Sequence, residues 1–263
     1  MGRRFKTMNT RRTFGAAAVT AAMFMWLAQE AHGQTPELRV VASNGVKAVV
    51  EALQKDGERA TGHTLSIQFD TSAALERRIE AGEPFDVAVV TTESMDGLIK
   101  KGSVVAATRA PIARSGIGVG IRKGAPKPDI GTAAAMKRTL LGARKITYAQ
   151  DGASRVHILR MLDRLGIAAE MTPNTILEQG SIRSTGRVAN GDADLVMTLI
   201  SEILPISGIE LVGPLPPEFQ HYVELAAGVS AKARDVTAAR ALVSFLAGPA
   251  VSPTLAAKGM EKP

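Results

Sequence analysis

The chain has no cysteine. That excludes disulfides, thiolate metal ligands and a cysteine nucleophile. Aromatic residues are scarce too, with seven Phe, one Trp and two Tyr. No basic run is interleaved with them, so the footprint of a nucleic-acid surface is missing. Only four histidines occur, His32, His63, His157 and His221, and they are too scattered for metal-ligand spacing. Gly116-x-Gly118-x-Gly120 lacks the G-x-G-x-x-G spacing of a dinucleotide loop, and Pro126 and Pro128 intervene before any helix. Glycines in a strand more often mark a bend or a close backbone approach.

What is present begins with a leader. Arg3, Arg4, Lys6, Arg11 and Arg12 precede an apolar run from Gly15 to Ala28, broken only by Thr20. Ala31-His32-Gly33 follows as a small-x-small site. This layout predicts a secretory signal over 1–33, cleaved after about Gly33. The run is 14 residues, short of the ~20 of a membrane span. Thr10-Arg11-Arg12-Thr13-Phe14 matches the twin-arginine pattern, against an ordinary Sec signal. Either route predicts a periplasmic protein without a lipid anchor. The whole chain has 32 Lys+Arg and 25 Asp+Glu. Setting aside the leader's five basic residues and one acid leaves 27 against 24, a net charge of +3. The high overall pI therefore gives no reason to expect a nucleic-acid partner. An exported chain without disulfides must be held by its core, and 230 residues suffice for two lobes.

The central stretch is Phe69 to Asp86. Leu65 to Phe69 reads as a strand, Leu75 and Ile79 face one side of a short helix, and Gly82-Glu83-Pro84 ends it. Asp86-Val87-Ala88-Val89-Val90 reads as a buried parallel strand, with Asp86 its first residue. Strand Leu38 to Ala42, the helical pattern from Val46, and a helix from Ser94 to Lys101 complete a β–α series. A second series follows: strand 117–121, helix 131–141, strand 145–149, helix 155–165, a helix-like stretch from Ser181, strand 194–198 and strand 208–212. Gly213-Pro214-Leu215-Pro216-Pro217 reads as a rigid linker, Tyr222 to Val229 as a returning strand, and Val236 to Leu246 as a closing helix. The fold class is α/β, with a mixed, mostly parallel sheet in each of two lobes. Lobe 1 is expected over 34–113 plus 222–263 and lobe 2 over 114–221, joined by two hinge crossings.

One pattern recurs: strand, small hydroxyl or glycine turn, helix. It appears at Ser43-Asn44-Gly45, Thr71-Ser72-Ala73, Gly152-Ala153-Ser154 and Ser181-Ile182. A helix N-terminus leaves about four N–H groups unpartnered and carries roughly half a positive charge, which makes it an oxyanion socket. The same residues also serve as ordinary helix caps. Ligands of open α/β sheets bind at the carboxyl ends of strands. Four such sockets, two in each lobe, favour an anion cleft.

The chain resembles the periplasmic solute-binding proteins of ABC importers, of the molybdate-binding type. The resemblance covers essentially all of the mature chain. It is carried by Leu38 to Val50, Ile79-Glu80-Ala81-Gly82-Glu83-Pro84-x-Asp86, Leu162-x-x-Leu165-Gly166, Asn190-Gly191-x-Ala193-Asp194 and Phe245-Leu246-x-Gly248-Pro249. It implies a type II binding-protein fold, no cofactor, a monomer, an ABC permease with its ATPase as partners, and molybdate or tungstate as ligand. Metal would enter only as the oxyanion. In that family side-chain hydroxyls and backbone N–H groups hold the ligand. The first hydroxyl position falls on Gly45, with Ser43 or Asn44 able to substitute, and the second on Ser72. Backbone donors fall near Ser154 and Ile182, and a tyrosine position falls on Thr198. Arg155 stands where a small residue is usual and either adds charge or faces solvent.

Two other readings stand beside this one. The same fold can bind an organic acid or act as a ligand sensor. A hydrolase is the rival class, since Ser154 and His157 lie three apart on one helix, but no orienting acid or oxyanion arrangement accompanies them. The expectation is a binding protein, not an enzyme.

Overall fold

In the computed structural model, which describes residues 1–3 and 36–263, the apolar runs become one nine-stranded sheet. Residues 4–35, which hold Arg11-Arg12 and Ala31-His32-Gly33 of the leader, lie outside the described residues. Three parallel strands, β1 (Glu37–Ser43), β2 (Thr64–Asp70) and β3 (Val87–Thr91), lie at one end. Three more, β5 (Ile146–Ala149), β6 (Thr175–Glu178) and β7 (Leu195–Leu199), lie at the other. Between them run β4 (Ala110–Arg122) and β9 (Tyr222–Val229), and β8 (Ile209–Pro214) lies on β4. The order is β2-β1-β3-β9-β4-β7-β5-β6. Parallel strands need long crossovers. The helices between the strands are α1 (Lys47–Thr61), α2 (Ser72–Glu80), α3 (Thr92–Lys100), α4 (Ala133–Gly142), α5 (Arg155–Arg164), α6 (Ala168–Met171), α7 (Ser181–Asn190) and α8 (Ile200–Ile203); α9 (Val236–Ala247) and α10 (Ser252–Ala257) follow β9.

β3 and β7 are buried along their whole length, as strands covered on both faces must be. Alternation sorts their side chains. Val87 and Val89 join one core with Leu38, Val40 and the α9 residues Leu242 and Val243. Val90 and Ala88 join another with Leu75, Met95 and Leu98. On β7, Leu195, Met197 and Leu199 face Ile158, Met161 and Leu162 of α5, whereas Val196 faces Val188 and Ile203. Each fully buried Leu or Val in these layers contributes roughly 1.5–3 kcal/mol of transfer free energy.

β4 begins well before the expected 117–121 run. Pro111 argues against a strand there, but the register shifts between Pro111 and Ala113, which accommodates the missing donor. Its first part pairs with β9 and its second, from Ile117, with β7. Gln220 braces this junction: its amide donates to the Ile117 carbonyl (3.0 Å), and its Oε1 accepts from the Ile117 N–H (3.1 Å). Gly213 and Pro214, expected in a linker, close β8, an edge strand that tolerates proline.

Asp86, just ahead of β3, is completely buried. Its carboxylate accepts from the Arg39 backbone N–H (2.9 Å), the Arg39 guanidinium (3.0 Å twice) and the Arg234 backbone N–H (3.0 Å). Burial pushes its pKa up, but the Arg39 guanidinium and these N–H donors outweigh it and hold the acid well below the usual carboxylate range.

Candidate functional site

The site is built at the carboxyl ends of β1, β2, β5, β6 and β7, where chain turns into helix. At the end of β1, Ser43 Oγ accepts from the Gly45 N–H (3.3 Å). A Cβ at Gly45 would lie 3.0 Å from Leu199 Cδ1. The hydroxyl absent from Gly45 therefore leaves no gap, because Leu199 of β7 occupies the approach. Asn44, beside them, is 9% exposed.

At the end of β2, Thr71 caps α2, its Oγ1 accepting from the Ala74 N–H (3.2 Å). Ser72 Oγ accepts from the Thr91 N–H at the end of β3 (3.0 Å). Acceptance leaves the Ser72 O–H free to donate. The Thr71 hydroxyl donates to Asp151 Oδ2 (3.1 Å), and Asp151 Oδ1 accepts from the Gly180 N–H (2.9 Å). One carboxylate thus joins the turns after β2, β5 and β6, directly before the N-terminus of α7.

Ser154, three residues past Asp151, is buried and precedes α5 without a side-chain capping bond. Arg155 is exposed. Its charge partly offsets the burial that raises the pKa of Tyr148. The His157 ring stacks on His221 (centroids 3.5 Å apart), and burial, with His221 and Arg160 nearby, lowers its pKa.

The Thr198 hydroxyl, expected to face an anion, donates to Glu202 instead. Ser181 Oγ donates to Glu202 Oε1 (2.8 Å), and the Leu199 N–H to Oε2 (3.4 Å). No Lys or Arg is paired with Glu202 among the described residues. Burial raises its pKa, and the three hydrogen bonds only partly oppose this.

A cavity of about 270 Å³ opens between α1 and the α7–α8 region. Asn44, Lys47, Ser181, Ile182, Ser201 and Glu202 are on its wall. Asn44 Oδ1 and Ser201 Oγ are shielded from water and have no hydrogen-bond partner among the described residues. Each such atom costs about 1–3 kcal/mol. Among the described residues no group of three His, Asp or Glu could hold a metal ion.

Of the expected residues, Asn44 and Ile182 share this cavity. Ser43 and Gly45 flank Asn44, and Thr198 touches the cavity's acid, Glu202. Ser72 adjoins Thr71, which holds Asp151, and Ser154 follows Asp151 in the same turn. Glu202, Ser201 and Asp151 were not anticipated. Asp151-Gly152 reads locally as a turn. Ser201-Glu202 has one signal, a polar pair directly after the apolar Leu199-Ile200 at the end of β7.

Residues 38–261 match the family model described as bacterial extracellular solute-binding protein. The chain is 32% identical over 222 residues to the aconitate isomerase of Pseudomonas sp, covering 80% of this chain and 82% of that one. It is 25% identical over 232 residues to the molybdate-binding protein ModA of Azotobacter vinelandii, covering 86% and 90%. The solved periplasmic molybdate-binding protein of Azotobacter vinelandii superposes with a TM-score of 0.74 at 20% identity, covering 86% of this chain and 99% of that one.

Proposed function

The chain belongs to the bacterial extracellular solute-binding proteins, and we propose that it is a monomeric periplasmic receptor that captures a small organic acid for an ABC permease and its ATPase. The leader over 1–33 would export it. Residues 34–113 with 222–263 and residues 114–221 form the two lobes in this reading, hinged where β4 and the segment before β9 cross. The ligand is held by Asn44, Ser72, Ser154 and the N-terminus of α7 around Ser181 and Ile182.

The observation that carries the choice of an organic acid is Glu202. It binds the hydroxyls of Thr198 and Ser181, so an acceptor stands where a molybdate site needs donors. A fully ionised tetrahedral anion has no proton to give such an acceptor, whereas an organic acid that carries a donor group beside its carboxylate has one. The name of the aconitate isomerase relative supports a carboxylic ligand. Molybdate or tungstate is the second reading. It is favoured by the Ser72 hydroxyl, free to donate beside the start of the nine-residue α2.

We read the protein as binding its solute without converting it. Among the described residues no hydrogen bond joins the Ser154 hydroxyl to the His157 ring, which is stacked on His221. A thermal-shift panel of citrate, aconitate, malate, succinate, molybdate, tungstate and sulfate tests the ligand. A ligand at ~100 times its Kd adds about 2.7 kcal/mol of stability. Shifts with carboxylates alone support the organic-acid reading, and shifts with molybdate and tungstate alone replace it with the second. Proton NMR of cis- and trans-aconitate incubated with the protein tests turnover. Unchanged isomer ratios are expected, and interconversion would make the protein an isomerase.

A further inference from the structure

Buried polar side chains without partners are rare, and each needs a physical account. Here two border the same cavity. Asn44 is 9% exposed and Ser201 3% exposed, and both line the space that also receives Glu202 and Lys47. An amide has a donor end and an acceptor end, and a hydroxyl is both donor and acceptor. Both oxygens are shielded in the ligand-free protein, so a ligand meets them only after a rotation about one side-chain bond turns either group into the cavity, among a few staggered or broad wells. The remaining wall is of the opposite character. Lys47 supplies a cation, held 3.8 Å from Glu51 and 5.5 Å from the centre of the Phe69 ring. Ser181 and Ile182 open the ten-residue helix α7, whose first N–H groups have no intrahelical acceptor. The cavity, about 270 Å³ and open to solvent on one side, has room for a small acid.

We propose that this cavity is the specificity pocket for a hydroxycarboxylic acid, whose carboxylate lies against Lys47 and the start of α7 and whose hydroxyl satisfies Asn44 and Ser201. The inference rests on the organic-acid reading above and narrows it to acids with a hydroxyl beside the carboxylate, so that aconitate, which has none, should bind less tightly than citrate. A hydroxyl is the matching group, because it both donates and accepts. It can donate to Asn44 Oδ1 or to Glu202 while accepting from Ser201. A methylene in its place leaves those groups unpaired, and a site built around a hydroxyl rejects the analogue lacking it. A tetrahedral oxyanion offers acceptors only. Glu51 and Glu202 keep the pocket from being a general anion trap, since a polyanion without a donor would face them uncompensated.

Matched pairs test this on the full chain by isothermal calorimetry: malate against succinate, and citrate against propane-1,2,3-tricarboxylate. Each pair differs by one hydroxyl. The hydroxylated member of at least one pair is expected to bind about tenfold or more tightly, equivalent to about 1.4 kcal/mol. Ser201→Ala and Asn44→Ala are expected to bring that ratio towards one. If both members of each pair bind equally, or the deoxy acids bind better, the hydroxyl pocket is overturned while the organic-acid receptor stands. If no carboxylate binds, the underlying reading falls and this inference falls with it. The wild-type comparison needs no variant, so a variant that misfolds does not remove the test.

Discussion

Asp86 and Glu202 are the molecule's two instructive carboxyl groups, and their surroundings are opposite. Asp86 meets the guanidiniums of Arg39 and Arg234 and two backbone N–H groups, and its pKa falls. Glu202 meets two hydroxyls and one N–H, with no cation among the described residues, and its pKa rises. The first region spends its polar groups on itself. The second leaves Asn44 Oδ1 and Ser201 Oγ unpaired beside an open cavity. Burial alone therefore does not distinguish a structural acid from one at a site. What distinguishes them is whether the chain supplies every partner.

The comparison is broken most forcefully at Asp86. Asp86→Ala leaves Arg39 and the Arg234 N–H without their acceptor. It should cost about 3 kcal/mol at neutral pH, at the lower end for a broken buried pair because Arg39 remains 25% exposed. Urea unfolding measures this. The folded pKa is depressed, so the carboxylate's contribution is present above the unfolded value of about 3.9 and is lost as pH falls towards the folded one. The wild-type and variant curves should therefore converge in acid. Parallel curves down to pH 3 would show that Asp86 acts through packing instead of charge.

Ser72→Ala comes next, because Ser72 has both a structural and a binding part. Its oxygen is the acceptor for the buried Thr91 N–H, so its loss should cost about 1–3 kcal/mol. Its unused O–H should lower affinity for whichever anion the thermal-shift panel identifies. Lost stability with unchanged affinity would assign Ser72 to the first kind of region alone.

Much of the fold is legible in the sequence because burial on both faces leaves continuous apolar runs, as in β3 and β7. Helix starts are legible where a side chain caps its own backbone, as Thr71 does. The site is less so. Ser43, Asn44, Ser72, Ser154 and Ile182 stand at strand ends and could be found by that rule. Their partners come from distant chain. Thr71 meets Asp151 across 80 residues, and the hydroxyl of Thr198 is taken by an acid on the four-residue helix α8, too short to show a period. Gly45 likewise reads as a missing hydroxyl, but only the tertiary approach of Leu199 shows that the place is filled. β6 and α10 are short and partly exposed, so their patterns stay below what periodicity can detect.

Glu202→Gln sharpens the contrast with the opposite sign to Asp86. Its folded pKa is raised, so the contribution is fully present below the unfolded value of about 4.3 and is lost as pH rises through the folded one. In the ligand-free protein, Glu202→Gln should match wild type near pH 4 and be the more stable of the two at pH 8. Urea midpoints at the two values decide it. A variant less stable than wild type at pH 8 would mean that the ionised form is supported, which would make Glu202 resemble Asp86.

The smallest stability effect is expected at Ser154, and it separates the two kinds of hydroxyl. Ser154 precedes α5 but makes no capping bond, so Ser154→Ala removes no side-chain hydrogen bond to that helix. Its stability should stay within about 0.5 kcal/mol of wild type, as for substitutions away from any specific feature. Ser72 and Ser154 are both buried hydroxyls beside helix starts. Only Ser72 accepts a bond from its own fold, so only Ser72→Ala should lower the melting midpoint, whereas both variants should weaken ligand binding by calorimetry. A Ser154→Ala protein that melts lower yet binds as wild type would show that its hydroxyl serves the turn after β5, and the ligand donors of that turn would then be its backbone N–H groups alone.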